Sequence, residues 1–117
     1  MYFLYMLYRE SDASGKIGYT KNVENIEERW TRLSGTRLRM AHCIPFRSEK
    51  EVIKARNTLY SIFDTFRLRM DGCRTEWFSC DIWDYVPRKE KELRDAIKLA
   101  AEVIKKGNQV SLEEIFW

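Results

Sequence analysis

The sequence predicts a single α/β domain of the α+β type, with a small, mostly antiparallel three-stranded sheet flanked by helices. Three observations support this fold class. An apolar, aromatic segment at the N-terminus and two later extended segments have the composition of strands. Segments with helical spacing of apolar residues lie between and after them. A length of 117 residues suits one hydrophobic core and leaves no room for two.

The N-terminal residues predict two antiparallel strands joined by a turn. Residues 2–8 are aromatic and aliphatic without a clear alternation, which is typical of a buried central strand. Residues 11–15 have the composition of a turn. Residues 16–20 then return as a second strand beside the first.

A first helix is predicted after the second strand. Asn22 or Asn25 can cap its start, and Glu28 follows Asn25 at the three-residue spacing of a capping box. We expect the helix to run to about Ser34 and to stop at Gly35. The residues expected on its inner face are Ile26, Trp30 and Leu33.

Residues 36–47 predict a third strand with one solvent-exposed, basic face. Their side chains alternate loosely between apolar and polar, as in a strand that is buried on one side. His42 is the single histidine of the chain, and we interpret it as structural. One parity holds Leu38, Met40 and His42, and the other holds Arg37, Arg39 and Ala41.

The second half of the chain begins with a predicted long helix. Ser48 and Glu51 form a capping box, and the helical spacing of apolar residues continues over residues 49–66. Residues 71–72 are a turn. Residues 76–80 form a short extended segment, which we expect at a sheet edge.

The C-terminal residues predict two more helices. Pro87 suits the first turn of a long helix that reaches about Lys106 and ends at Gly107. Ser111 and Glu114 predict a final short helix by the same capping spacing. Both helices follow the sheet-forming part of the chain.

The C-terminal tail, residues 115–117, is too apolar to remain in solvent. We expect it to dock on the domain or on a partner, which makes a homodimer or a protein complex through the tail an alternative to a monomer. We therefore divide the chain into a core over residues 1–80 and a C-terminal helical extension over residues 81–117, packed on the same domain.

The bulk composition excludes several classes of protein. Hydrophobic residues make up 44% of the chain, which argues against global disorder. The cysteines number three, and an odd count without a signal sequence argues against a disulfide framework. They include no close pair with a two-residue gap, which argues against a zinc site. The apolar N-terminus is too short to span a membrane and lacks the basic start of a signal peptide. We expect a cytoplasmic protein with no membrane partner.

A basic stretch lies between Glu28 and Glu49. It contains five arginines and no acidic residue, although the net charge of the chain is only +3. Clustered guanidinium groups bind phosphate oxygens well, but a solvated surface explains such a stretch equally well. The predicted DNA-binding residues, in this stretch and in the following helix, are Arg32, Arg37, Arg39, Lys54 and Arg56.

Four features occur in order within the first eighty residues. Tyr5 lies in the first strand, Lys-Ile-Gly-Tyr-Thr fills residues 16–20, Arg29 lies in the first helix, and an acidic-aromatic segment fills residues 74–78. This ordered set resembles the GIY-YIG nuclease superfamily. Within that superfamily it resembles a phage-encoded branch, usually described as a DNA-binding domain, whose second motif reads Lys-Ile-Gly-Tyr-Thr.

The resemblance implies a site for phosphodiester hydrolysis. Tyrosines and neighbouring groups on the paired strands would position or deprotonate water, and the helix arginine would neutralise the developing charge. Tyr5 is also explained by core packing, and Lys16 by solvation beside a turn. If the domain is catalytic, the resemblance implies Mg²⁺ or Mn²⁺ as the cofactor. The implied catalytic residues are Tyr5, Lys16, Tyr19 and Arg29.

The chain departs from the family pattern where the metal ligand is expected. The family has a glutamate on the second long helix, and this chain has Arg56 there, with Tyr60 in place of a histidine. A cation cannot ligate magnesium and would repel it. Glu76 and Glu49 remain as alternative metal ligands, although helical rise places Glu49 about 10 Å from the expected position.

These features predict a DNA-binding GIY-YIG-like domain, whose enzymatic form would be a divalent-metal-dependent endonuclease of the hydrolase class. A first alternative, favoured by Arg56, is a degenerate relative that binds nucleic acid or protein without cleavage. A second is a phage or other viral protein that antagonises a host enzyme in the host cytoplasm, using the C-terminal tail as an interaction surface.

Overall fold

The centre of the protein is a five-stranded sheet, seen in a computed structural model that describes residues 1–116. The spatial order is β3-β1-β2-β5-β4, and every hydrogen-bonded pair of neighbours runs antiparallel. The α+β class is therefore confirmed, but the sheet is larger than predicted. Its strands are β1 (Tyr2–Arg9), β2 (Gly15–Thr20), β3 (Leu38–Phe46), β4 (Arg67–Met70) and β5 (Cys73–Phe78).

The prediction of three strands was wrong because β4 and β5 form a hairpin that the sequence pattern conceals. Asp71 and Gly72 both have positive φ angles, 54° and 78°. Turns of this kind match the right-handed twist of the two strands they join. Three of the four β4 residues are exposed, so the strand lacks the apolar character that marks a core strand. The expected edge segment, residues 76–80, instead belongs in its first part to β5, between β2 and β4.

Four helices accompany the sheet: α1 (Ile26–Ser34), α2 (Glu49–Ile62), α3 (Glu90–Lys105) and α4 (Leu112–Phe116). The predicted end of α1 is confirmed, since Gly35 follows it with a φ of 74°. The predicted start of α2 is also confirmed, since the Ser48 hydroxyl accepts a hydrogen bond from the Glu51 N–H at 3.2 Å. The helix predicted over residues 49–66 ends at Ile62, and a 3-10 turn over Asp64–Phe66 follows it.

Two details of α1 differ from the prediction. Asn25 precedes the helix with a φ of 61°, and its side chain makes no capping hydrogen bond. Leu33 was expected on the inner face, yet it is 68% exposed. In the last turn of α1 it is Thr31 that contacts β3, because its hydroxyl accepts from the Leu38 N–H at 3.0 Å. The contact between helix and sheet therefore passes through Thr31 and leaves Leu33 in solvent.

Apolar clusters cover both faces of β1, which confirms that it is a buried strand. Alternate residues of a strand point to opposite faces. Leu4 and Met6 therefore belong to a large cluster that also contains residues of α2 and α3. Tyr5 and Leu7 belong to a smaller cluster on the α1 side, together with Ile26, Leu38 and the partly buried Trp30, Met40 and Trp77.

The C-terminal segment packs on the domain itself. The ring of Phe116 stacks on the ring of Phe63, with centroids 5.5 Å apart and planes 11° apart. Val110, Leu112 and Ile115 join the same large cluster. Trp117, the last residue of the predicted tail, lies outside the described residues. The domain boundary placed after residue 80 stays a prediction.

His42 is buried, and its ring is 2.7 Å from the Pro87 carbonyl oxygen, in keeping with a structural role. Residues 1–116 contain no helix that is both long and apolar enough to cross a membrane.

Candidate functional site

Tyr5 and Gly18 face each other across β1 and β2, where they are paired in the antiparallel register. The tyrosine ring lies directly over the glycine. A Cβ atom added to Gly18 would be 2.5 Å from the Tyr5 hydroxyl oxygen and 2.7 Å from its Cζ atom. No side chain larger than hydrogen fits there without moving the ring. The Gly of the Lys-Ile-Gly motif therefore fixes the position of the Tyr5 phenol.

The Tyr5 phenol is held in its neutral form. The residue is only 3% exposed, and this burial is the main reason why its pKa is raised to about 12. The charge of Glu76 also raises that pKa, whereas the Trp30 indole and the Arg29 guanidinium lower it. The Trp30 N–H is buried and close enough to the phenol to lower its pKa, although it makes no hydrogen bond of normal geometry within residues 1–116. At neutral pH Tyr5 can therefore donate a hydrogen bond, and its raised pKa makes it a poorer candidate for a base than an ordinary tyrosine.

Lys16 is a buried cation between two indole rings. Its side chain is 2% exposed and forms an ion pair with Glu76, whose side chain is 48% exposed. The ammonium nitrogen lies 4.0 Å from the Trp30 ring centroid and 5.6 Å from that of Trp77. An aromatic face attracts a cation most strongly when both are shielded from water. Lys16 is therefore fully engaged by the protein.

Glu76 occupies the point where β2 and β5 separate. Only Gly15 with Phe78 and Lys16 with Trp77 are paired between these strands, and Glu76 is the next residue of β5. Its charge raises the pKa of Tyr5, on the sheet, and also that of Tyr60, on α2. The carboxylate therefore lies close enough to influence both phenols.

Two arginines share the ring of Tyr60. The Arg67 Cζ atom is 4.3 Å from the Tyr60 ring centroid, and the Arg56 Cζ atom is 5.4 Å from it. Arg56 also lies 5.1 Å from the ring centroid of Tyr19. Burial and then Glu76 raise the pKa of Tyr60 to about 12, while Arg56 and Arg67 lower it. The ring thus presents a neutral platform to two guanidinium groups.

The comparison with known families decides the identity of this fold. The profile of the T5orf172 domain matches residues 2–101. The chain belongs to the T5orf172 domain family. No curated protein and no solved structure gives a significant match to it. In this T5orf172 domain the matched range covers the whole sheet and every site residue described above.

The donor set of this T5orf172 domain does not fit a divalent metal ion. Magnesium requires oxygen ligands and is usually held by one or two carboxylates. Here Glu76 is already paired with Lys16, and Arg56 and Arg67 add positive charge at the ring of Tyr60, whose pKa Glu76 also influences. Glu49 is exposed in the first turn of α2. Within residues 1–116, no group of three or more His, Cys, Asp or Glu side chains is placed to hold a metal ion.

The four residues implied to be catalytic are only partly brought together. Tyr5 belongs to the cluster against which Trp30 packs, and the Lys16 ammonium group lies over the Trp30 ring, both on the α1 side of the sheet. Arg29 is exposed on α1, close enough for its charge to lower the Tyr5 pKa. Tyr19 packs instead against the large cluster, in contact with Arg56. Strand alternation places Tyr19 on the face opposite Lys16.

The five predicted DNA-binding side chains fall in three places on the T5orf172 domain. Arg32 pairs with Glu28 at 3.6 Å, and Arg39 pairs with Glu10 at 2.6 Å. Arg37 lies near α1, beside a shallow cavity that Glu27 and Glu28 also line. Lys54 lines a groove between α2 and α3, and Arg56 lies at Tyr60. Arg56 is therefore the one predicted DNA-binding residue that joins the site.

Arg67 is the site residue that the sequence prediction missed, because β4 was missed. It faces Phe78 across the β4–β5 pair, and its Nε–H donates to the Thr75 carbonyl oxygen at 2.7 Å. The Asp71-Gly72 dipeptide is a turn signal typical of hairpins, but the exposed residues before it do not mark a core strand. Trp30 was expected on the inner face of α1. The positions of Trp30 and Trp77 on either side of Lys16 depend on the strand register.

Proposed function

We propose that this T5orf172 domain binds DNA through a GIY-YIG-like face, and that it does so without metal-dependent cleavage. The observation that carries the proposal is the group of cationic side chains around Tyr5 and Tyr60. Arg29, Arg56 and Arg67 each lie close enough to one of these phenols to lower its pKa. DNA is a polyanion, and its phosphates are bound by such clusters irrespective of sequence.

The motifs support the same assignment. Tyr5 of the first motif lies over Gly18 of the second, and Arg29 is presented from α1, so residues on which the GIY-YIG resemblance rests are close together. The family match supports a nucleic-acid-related role for a domain of this kind. The GIY-YIG relationship itself rests on these residues and their order.

The chemistry of the site favours binding over cleavage. Tyr5 and Tyr60 both have a pKa of about 12, so neither phenol is ionised at neutral pH. Lys16 is held in its ion pair with Glu76, so neither member of the pair is free to act as a base beside Tyr5. A hydrolase needs an activated water and a stabiliser for the developing charge. The arginines suit the second of these roles, and neither phenol nor the Lys16–Glu76 pair suits the first.

DNA binding is tested by fluorescence anisotropy with a labelled duplex over a range of salt concentrations. We expect the logarithm of the binding constant to fall linearly with the logarithm of salt concentration, by about 0.9 per phosphate neutralised. Arg29→Gln should weaken binding and reduce this slope by about one. Lys98→Gln is the control, since Lys98 is an exposed cation on α3, outside the group around Tyr5 and Tyr60. Equal binding by both variants would contradict the proposal.

A divalent-metal-dependent endonuclease is the second candidate, favoured by the proximity of Arg29 to Tyr5. Incubation with supercoiled plasmid and Mg²⁺ or Mn²⁺ tests it, with Arg29→Ala as the control. Nicking by the wild type that disappears in the variant would replace the binding-only proposal. If the protein neither cleaves nor binds DNA at any excess, a protein-interaction role takes precedence.

A further inference from the structure

We propose that Arg56 and Arg67, both placed against Tyr60, bind phosphate directly and occupy the role that a divalent metal ion would have in a GIY-YIG site. The proposal deepens the proposed function and rests on it for the source of the phosphate, a DNA strand. It states that the site binds phosphate groups and that this binding needs no divalent metal ion.

The ion pairing of the arginines singles out these two. Four arginines within residues 1–116 are half-buried: Arg9, Arg56, Arg67 and Arg94. Arg9 pairs with Asp12 at 3.3 Å, and Arg94 lies 4.0 Å from Glu90. Arg56 and Arg67 have no carboxylate within ion-pair distance in the described part of the chain. A half-buried cation without an anionic partner is a site that an external anion can neutralise.

The hydrogen bonds of the two guanidinium groups orient them and leave donors available. Arg67 uses its Nε–H for the Thr75 carbonyl oxygen. Arg56 uses Nε and one terminal nitrogen for the Asn57 amide oxygen, at 3.3 and 3.2 Å. A guanidinium group has five N–H donors in a rigid fork, so each arginine retains donors for a phosphate oxygen.

Tyr60 is a fixed platform for both groups. Its hydroxyl donates to the Ile17 carbonyl oxygen at 2.8 Å, and its ring packs against Phe78 with centroids 5.7 Å apart. Because the ring is held on two sides, the arginines are ordered before a ligand arrives. Ordering that precedes binding reduces the entropic cost of association.

The surface beside Arg67 has room for a phosphate group. An open cavity of about 310 Å³ is lined by Tyr60, Ser61, Asp64, Arg67 and Arg74. Its one carboxylate, Asp64, lies 3.8 Å from Arg74, which offsets its charge. Of the lining side chains, Ser61, Arg67 and Arg74 can donate hydrogen bonds to an oxyanion, and Arg56 lies outside this lining, at the ring of Tyr60. Glu76, the other nearby acid, is offset by Lys16.

Inorganic pyrophosphate, titrated in the presence of EDTA, tests the site without DNA. We expect the side-chain Nε–H signals of Arg56 and Arg67 to shift and saturate in NMR spectra. Arg67→Gln and Arg56→Gln should each weaken pyrophosphate binding at least tenfold. Arg69→Gln, an exposed residue of the same strand without an ion pair, should leave it unchanged. Thermal unfolding of each variant verifies that it is folded, and Arg56→Lys supplies a milder second variant that keeps the charge.

The outcomes separate the site from the proposed function. If neither Arg56→Gln nor Arg67→Gln weakens pyrophosphate binding, or if that binding requires Mg²⁺, the proposed phosphate site is wrong. If duplex DNA binds equally well to wild type, Arg56→Gln and Arg67→Gln, the site is wrong but DNA binding stands. If pyrophosphate binds through both arginines and DNA does not bind, the site stands and the proposed function fails.

Discussion

The Tyr60 hydroxyl donates a hydrogen bond to the Ile17 carbonyl oxygen at 2.8 Å. Ile17 is the first residue of β2 beyond its two-pair ladder with β5. A side chain of α2 thus supplies a hydrogen bond to the sheet where a neighbouring strand has diverged. This contact also sets the position of the ring on which Arg56 and Arg67 lie.

Tyr60→Phe should destabilise the fold. The substitution keeps the ring but leaves the Ile17 carbonyl without this donor, which costs about 1 kcal/mol for a typical hydrogen bond. Urea unfolding measures the change in the free energy of unfolding. Tyr8→Phe is the control, because Tyr8 is 36% exposed. Removal of its hydroxyl group should change the free energy of unfolding by no more than about 0.5 kcal/mol. Equal effects of the two substitutions would show that the Tyr60 hydrogen bond contributes nothing.

Gly18→Ala should be destabilising by about 1–3 kcal/mol, as is usual for overpacking. The new methyl group would lie 2.5 Å from the Tyr5 hydroxyl oxygen, so the ring must move. Thermal and urea unfolding measure the loss. In a Tyr5→Ala background the same substitution should cost much less, because the clashing ring is absent. A cost that is the same in both backgrounds would rule out the Tyr5 contact as its cause.

The Lys16–Glu76 ion pair should respond unequally to loss of each partner. Glu76→Gln leaves a buried ammonium group without its carboxylate, and we expect a loss of about 1–3 kcal/mol, below the range for fully buried pairs because Glu76 is half exposed. Lys16→Met leaves the Glu76 carboxylate, which water can solvate. The apolar side chain of the methionine suits the space between the two indole rings. Urea unfolding should therefore rank Glu76→Gln as the less stable variant. The reverse order would contradict the burial asymmetry.

Stability should fall as pH rises from 10 to 12. The pKa of Tyr5 and of Tyr60 is about 12 in the folded state against 10 in the unfolded chain. Above pH 10 the unfolded state loses protons that the folded state retains, so the free energy of unfolding decreases. The contribution is fully present below pH 10. Urea unfolding at pH 9 and pH 11 measures the fall, which should be smaller in the Tyr5→Phe variant. A fall of the same size in that variant would exclude Tyr5 as a contributor.

Arg56→Glu should exchange one ligand class for another. It places a carboxylate near the ring of Tyr60, at the position where the GIY-YIG resemblance implies a metal ligand. We expect weaker pyrophosphate binding and a gain of Mn²⁺ binding, seen as paramagnetic broadening of NMR signals from Tyr60 and Glu76. Lys54→Glu is the control, since it lies two residues away on α2 and faces the groove toward α3. Equal broadening by both variants would point to nonspecific binding of Mn²⁺.

Local chemistry made part of the fold predictable. Gly35 ends α1 and Ser48 starts α2 because each carries a short-range signal that depends on a few neighbours. The buried character of β1 also follows from its own composition. β4 could not be recognised from apolar alternation, because its exposed residues reflect a position at the sheet edge that is fixed only after the sheet forms.

The candidate site was predictable to the extent that its residues lie in local motifs. Tyr5, Lys16 and Arg29 are found near one another because they belong to β1, β2 and α1, whose order the motifs indicate. The pairing of Lys16 with Glu76 joins residues sixty positions apart and depends on the register of two strands. Sequence reasoning had no means to fix that register, and so it left Glu76 as an alternative metal ligand.

The two-pair ladder between β2 and β5 has a consequence for motion. The β4–β5 hairpin is joined to the sheet by few backbone hydrogen bonds, together with side-chain contacts such as Lys16 with Glu76 and Arg67 with Tyr60. Segments with little backbone pairing open at a lower free energy than the core. Amide hydrogen exchange should therefore be faster in the hairpin than in β1. An anion that bridges Arg67 of the hairpin and Arg56 of α2 would slow that exchange. Binding of the anion would therefore be measured as slower amide exchange in the hairpin.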